Sequence, residues 1–178
     1  MRRRRGESGL SDGESSKAHR IRAVGEPAFP PATAQAVVEL LDYHQIPVAG
    51  RHVVVVGRSA VVGKPLLHLL LQRNATVTIC HSKSQSLADY TKPADIVAVA
   101  IGRAGMITAE HVSPGAVVVD VGTNVLPDGQ LVGDVDAGSV ANIASALSPV
   151  PGGVGSVTTA IVLMHTVDAA RVSSATSA

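Results

Sequence analysis

The run His52-Val53-Val54-Val55-Val56-Gly57-Arg58-Ser59-Ala60-Val61-Val62-Gly63-Lys64-Pro65 constrains the fold more than any other stretch of the chain. Consecutive β-branched residues suit a strand covered on both faces, the environment of a parallel sheet. Gly57 permits a turn, and Pro65 is tolerated in a first helical turn, where its missing N–H has no partner to lose. Strand, glycine-bounded turn and helix start, in that order, present free N–H groups and the positive end of a helix dipole to an anion. Gly57 and Gly63 lie one residue farther apart than the outer glycines of the common dinucleotide fingerprint, and Ser59 stands where its middle glycine would be. By pattern this is a variant phosphate-binding turn.

The hydrophobic pattern continues the unit in both directions. Pro27, Pro30 and Pro31 predict an extended lead-in, followed by a helix over about 34–45 that Thr33 caps and whose apolar face is Ala36, Val37, Leu40 and Leu41. The leucine-rich helix after Pro65 stops near Asn74, and 75–80 reads as a second strand, so 52–80 has the size of one βαβ unit. Strands are expected at 95–101 and 116–122, with short helices near 86–90 and 139–144. Leu131-Val132 reads as a short strand or extended segment, and 145–147 as a short last strand. A proline- and glycine-rich loop over 149–155 precedes a final helix at about 157–170. Alternating strands and helices predict an α/β fold: a Rossmann-type, doubly wound, mostly parallel sheet with helices on both faces and ligands at the strands' carboxyl ends. The expected division is a disordered basic tail over 1–23, one nucleotide-binding domain with its lead-in helix over 24–172, and a disordered tail over 173–178.

Composition removes several function classes. The net charge of +1 hides an asymmetry, because residues 1–22 carry seven Lys/Arg against three acids and the remainder is acidic. Arg2 to Arg5 lack a groove-reading motif, and aromatics at 2% leave almost nothing on which bases could stack, so no nucleic-acid partner is expected. No apolar run reaches the roughly 18 residues of a membrane span, and no apolar stretch follows the arginines as in a secretory signal. One cysteine excludes an internal disulfide and fits a cytoplasmic setting; Cys80 reads as a small buried hydrophobe. Neither the histidines nor Asp120, Asp134 and Asp136 show metal-ligand spacing, and carboxylates in loops commonly serve turns and caps, so no metal is expected.

The strand ends carry the chemistry. A carboxylate at the end of the second strand ordinarily accepts the ribose 2′-OH of NAD. Here that place holds His81, Ser82 and Lys83, with Arg58 on the first turn. A hydroxyl and cations suit a 2′-phosphate, which a carboxylate would repel, so NADP is favoured over NAD. Each group also has a plainer reading: Gly57 and Gly63 as close helix–strand packing, Arg58 as a surface cation, and 81–83 as a solvated loop.

Taken together, 57–65, Cys80-His81-Ser82-Lys83-Ser84, Asp120-Val121-Gly122-Thr123-Asn124, Gly133-Asp134-Val135-Asp136 and Pro149-Val150-Pro151-Gly152-Gly153-Val154-Gly155 closely resemble the methylenetetrahydrofolate dehydrogenase/cyclohydrolase family, in the family's order. The resemblance implies NADP-dependent oxidation of 5,10-methylenetetrahydrofolate to 5,10-methenyltetrahydrofolate, which the family also hydrolyses to 10-formyltetrahydrofolate. It implies cofactor contacts at Gly57, Arg58, Ser59, Gly63, His81, Ser82 and Thr123, and folate contacts at Pro151, Gly152 and Gly155. It also implies a homodimer.

Two motifs depart from the family: Gly155-Ser156 replaces its usual Gly-Pro, and Pro31-Ala32-Thr33-Ala34 its Pro-Cys-Thr-Pro. The family's catalytic lysine and tyrosine come from an N-terminal domain, and neither Tyr43 nor Tyr90 has a lysine four residues on, so no catalytic residue is assigned. The expectation is a member of this family represented by its NADP-binding domain, either a shortened gene product or a fragment that pairs with a missing half. The alternatives are a non-catalytic NADP-binding module or partner subunit, and an oxidoreductase for another small substrate.

Overall fold

In the computed structural model, which describes residues 29–176, the chain runs α1 (Ala32–Tyr43), β1 (His52–Val56), α2 (Gly63–Gln72), β2 (Thr76–Cys80), α3 (Leu87–Thr91) and β3 (Ile96–Val99). A 3-10 turn (Ala109–His111), β4 (Val117–Asp120), β5 (Asn124–Val125), β6 (Leu131–Val132), α4 (Ala137–Val140), β7 (Ala146–Leu147) and α5 (Val154–Thr176) follow. The basic tail lies outside the described residues.

The valines of β1 alternate between two cores. Val53 and Val55 meet Leu66, Leu70 and Ile161 on one face, and Val54 and Val56 meet Val97, Val99 and Val140 on the other. Two-sided burial of successive side chains is what a covered parallel sheet imposes on its interior strands. Five parallel strands form that sheet in the order β2-β1-β3-β4-β7, with β5 and β6 as a separate antiparallel hairpin. Helices α1, α2 and α5 cover the first face, while Leu87, Val112 and Val140 bring α3, the 3-10 turn and α4 to the second. The chain reverses its direction of travel across the sheet between β1 and β3, so the crevice of a doubly wound fold falls at their carboxyl ends.

Several boundaries differ from the pattern reading. Helix α1 starts at Ala32 with Pro31 as its cap residue, and Thr33 makes no capping bond because it already lies inside the helix. Leu41 is 1% exposed in the first core. Helix α5 extends well beyond 157–170 at both ends, so 173–176, expected as part of a disordered tail, are helical. Its hydroxyls are absorbed locally: Thr158, Thr166 and Ser174 donate to the carbonyls of Val154, Val162 and Ala170 at 2.8–3.0 Å, which lets polar residues continue a helix.

Gly57 fixes how closely β1 and β3 end together. It has φ +130°, and a Cβ there would run into the carbonyl of Ala100. Gly57→Ala therefore combines backbone strain with overpacking and is expected to destabilise the chain by about 2–4 kcal/mol, read as a lower urea midpoint at unchanged slope.

Candidate functional site

At the end of β1 the Gly57 N–H donates to the Cys80 carbonyl (2.8 Å), extending the β1–β2 ladder by one rung before the chain turns. Gly63 is the first residue of α2, and its own Cβ would collide with the Gly57 carbonyl, so helix and strand meet backbone to backbone. Ser59 Oγ accepts from the Val62 and Gly63 N–H groups (3.0 and 3.4 Å), which leaves its hydroxyl hydrogen to donate elsewhere. Arg58 is exposed and makes no ion pair with a described residue.

On the neighbouring strand, His81 donates its N–H to Ser84 Oγ (3.0 Å), and its ring Nδ1 accepts from the Lys83 N–H (3.1 Å). A neutral ring held this way carries its proton on Nε2. Ser82 and Lys83 stand exposed at the tip of the turn. Arg58 and Ser82 thus leave the ends of adjacent parallel strands, both open to solvent. Cys80 is 1% exposed; burial pushes its thiol above the usual range, against a smaller opposing effect of Ser84.

A cleft of about 620 Å³ opens beside this turn. It brings together Thr123, Pro151, Gly152 and Gly155 with Val62 and Ala100, whereas Arg58, Ser59, His81 and Ser82 lie outside it on the β2 side. Val150-Pro151 is cis, and Gly152 has φ +103°. Gly155 is the informative residue: it is helical, and a Cβ on it would meet nothing within 4 Å. Nothing in the protein's own packing requires a glycine there, and the bare position opens onto the cleft. Thr33, read from the sequence as a helix cap, also lines it, as do Thr158 and Thr159, which the pattern did not single out.

Beneath the cleft two buried carboxylates grip the backbone. Asp120 accepts from the N–H groups of Gly122, Asp134 and Val135 (2.9–3.0 Å). Asp134 accepts from those of Ile101, Gly102 and Arg103 (2.7–2.9 Å) and from Asn124 Nδ2 (2.9 Å). They are 3% and 0% exposed. Gly122 and Gly133 make room, since a Cβ on either would overlap the Asp134 or Asp120 side chain. Burial pushes the Asp120 carboxyl above its ordinary range, and the three N–H groups oppose that shift only in part. Both carboxylates serve the backbone, and among the described residues no group of three His, Cys, Asp or Glu is placed to hold a metal ion.

A doubly wound sheet whose switch-point strands end in a glycine cradle beside an open cleft defines a dinucleotide-binding domain. The chain belongs to the tetrahydrofolate dehydrogenase/cyclohydrolase family, whose NAD(P)-binding domain matches residues 31–174. The bifunctional protein FolD 1 of Paenarthrobacter aurescens is 73% identical over 149 residues, covering 84% of this chain and 51% of that protein. Among solved structures, the bifunctional dehydrogenase/cyclohydrolase FolD of Campylobacter jejuni superposes with a TM-score of 0.82 at 40% identity, covering 85% of this chain and 54% of its own. That of Trypanosoma brucei, complexed with NADP cofactor and inhibitor, gives 0.77 at 38% identity, covering 89% and 55%. The chain spans about half the length of the curated relatives it matches. Among the described residues no helix is long and apolar enough to cross a membrane.

The Asp120 shift carries a pH signature. Its folded pKa lies above the ordinary carboxylate value of about 3.9, so the folded state binds its proton more tightly than the unfolded chain does. Asp120 therefore contributes most at the acid end and loses that contribution as pH rises through its folded pKa. Relative to Asp120→Asn, the native chain is expected to lose stability as pH rises above about 4 in urea unfolding. A native chain that instead gains stability relative to Asp120→Asn as pH rises would show that the N–H bonds outweigh burial.

Proposed function

We propose that this chain is the NADP-binding half of a methylenetetrahydrofolate dehydrogenase, an enzyme that oxidises 5,10-methylenetetrahydrofolate to 5,10-methenyltetrahydrofolate. The observation that carries this reading is Gly155, helical, open at its Cβ and facing a cleft beside the glycine cradle. A bare backbone there lets a flat ligand lie against the first turn of α5. The turn itself fits a dinucleotide, because close packing of Gly57 and Gly63 sets the start of α2 against the end of β1 and Ser59 keeps a hydroxyl hydrogen to donate.

In this reading Gly57, Ser59 and Gly63 hold the pyrophosphate, and Arg58, His81 and Ser82 hold the 2′-phosphate. Thr123 lies toward the nicotinamide, and Pro151, Gly152 and Gly155 lie against the folate. Bound NADP supplies the hydride acceptor. What the chain contributes is orientation: two ligands held edge to edge in one cleft need no proton transfer for the hydride to pass. Hydrolysis of the methenyl product is different, because it needs a positioned acid or base. The cleft's ionisable side chains are Asp120 and Asp134, both tied to backbone N–H groups. Tyr43, at 82% exposure, belongs to the end of α1.

The same observation supports the second reading, a non-catalytic NADP-binding module. For either reading, Val162, Leu163, Met164 and Val167 of α5 expose apolar surface of the kind that marks association with a second half or a second copy.

Two measurements decide between these readings. The chain is expected to bind NADPH, and Arg58→Ala should weaken NADPH by about 1.5–3 kcal/mol while leaving NADH unchanged, as for loss of a charged hydrogen bond. Equal loss for both nucleotides would overturn the 2′-phosphate assignment. NADPH formation that depends on added methylenetetrahydrofolate, followed at 340 nm, would eliminate the non-catalytic module; binding without turnover would eliminate an enzyme that acts alone.

A further inference from the structure

The loop after β3 turns three successive N–H groups, those of Ile101, Gly102 and Arg103, toward one point. Converging backbone N–H groups at a strand end form a concavity that binds anions. Here the anion is internal. Asp134 Oδ2 takes the Ile101 and Gly102 N–H groups, and Oδ1 takes that of Arg103 together with Asn124 Nδ2. Gly102 is exposed and has φ +66°, yet its N–H is satisfied by a carboxylate that has no exposure at all. Two features of the cleft follow. The wall at Ala100 and Gly102 is held in place from below, and the nest has no capacity left for a phosphate.

We infer that Asp134 is a positioning residue for the nicotinamide half of the cofactor, an inference that rests on the NADP-binding reading above. By filling the nest, it confines the cofactor's phosphates to the Gly57–Gly63 turn. By tying the 101–103 loop to Asn124, it joins the wall at Ala100 and Gly102 to the loop that carries Thr123. The adenosine half, at Arg58 and Ser82, lies outside the cleft and is independent of this linkage.

The geometry separates the two halves experimentally. Asparagine at 134 keeps the shape but replaces one acceptor oxygen with a donor, which opposes N–H groups already aimed at it. Asp134→Asn in the full chain is expected to weaken NADPH at least tenfold by calorimetry, while adenosine 2′,5′-bisphosphate, which carries only the adenosine half, changes less than twofold. A parallel loss for both probes, or no loss for NADPH, overturns the positioning role. Failure of the native chain to bind either probe overturns the cofactor reading itself. Should Asp134→Asn not fold, amide exchange in the native chain decides the matter: the exposed Gly102 and Arg103 N–H groups are expected to exchange at least a hundredfold slower than free coil, and coil-like rates overturn the proposal.

Discussion

The end of β1 is where three backbones meet without side chains between them. The Gly57 Cα faces the Ala100 carbonyl at the end of β3, and Gly63 faces the Gly57 carbonyl from the start of α2. Any Cβ at these points would push strand from strand or helix from strand, so the switch point of the sheet exists only because both positions are bare. The neighbouring features depend on that closeness. The β1–β2 ladder can extend to Cys80, the start of α2 faces the crevice, and Ala100 becomes part of the cleft wall.

A second layer of order sits on the first. Asp120 and Asp134 replace what a longer strand would supply, bonding to N–H groups that the short strands β3, β4 and β6 leave free at their ends. Seven hydrogen bonds run through these carboxylates, six of them from the main chain. A buried carboxylate is costly unless it is met by several donors, and here the donors are the loops that shape the cleft. The burial and the shape of the site are therefore one arrangement.

Much of this was legible from side-chain pattern. The valine run announced a strand covered on both faces, and the leucines after Pro65 announced the helix that covers it. Gly57, Thr123, Pro151 and Gly155 were found from motif order, and the structure brings the last three to one cleft. What escaped depends on the backbone or on pairing. Asn124–Val125 is a strand only because it pairs with Leu131–Val132. The reach of α5 was hidden because Val162, Leu163, Met164 and Val167 add exposed apolar residues beside the buried stripe of Val154 and Ile161, and its terminal serine and alanine residues look like a tail. The aspartates' partners are main-chain N–H groups, those of Asp134 some thirty residues away in sequence, which no residue type advertises.

Helix α5 connects the two questions that this fold poses. Its first two turns, with Gly155, Thr158 and Thr159, line the cleft, and its later turns carry the exposed apolar residues. Val154 and Ile161 anchor it to the first core beside α1. A partner seated on the outer face would therefore bear on the same rigid rod that forms one wall of the site. On the dehydrogenase reading proposed above, this chain's contribution is orientation, so anything that fixes the rod would act through geometry alone. Among the described residues the cleft's carboxylates are held by backbone N–H groups, so they belong to the shape of that wall.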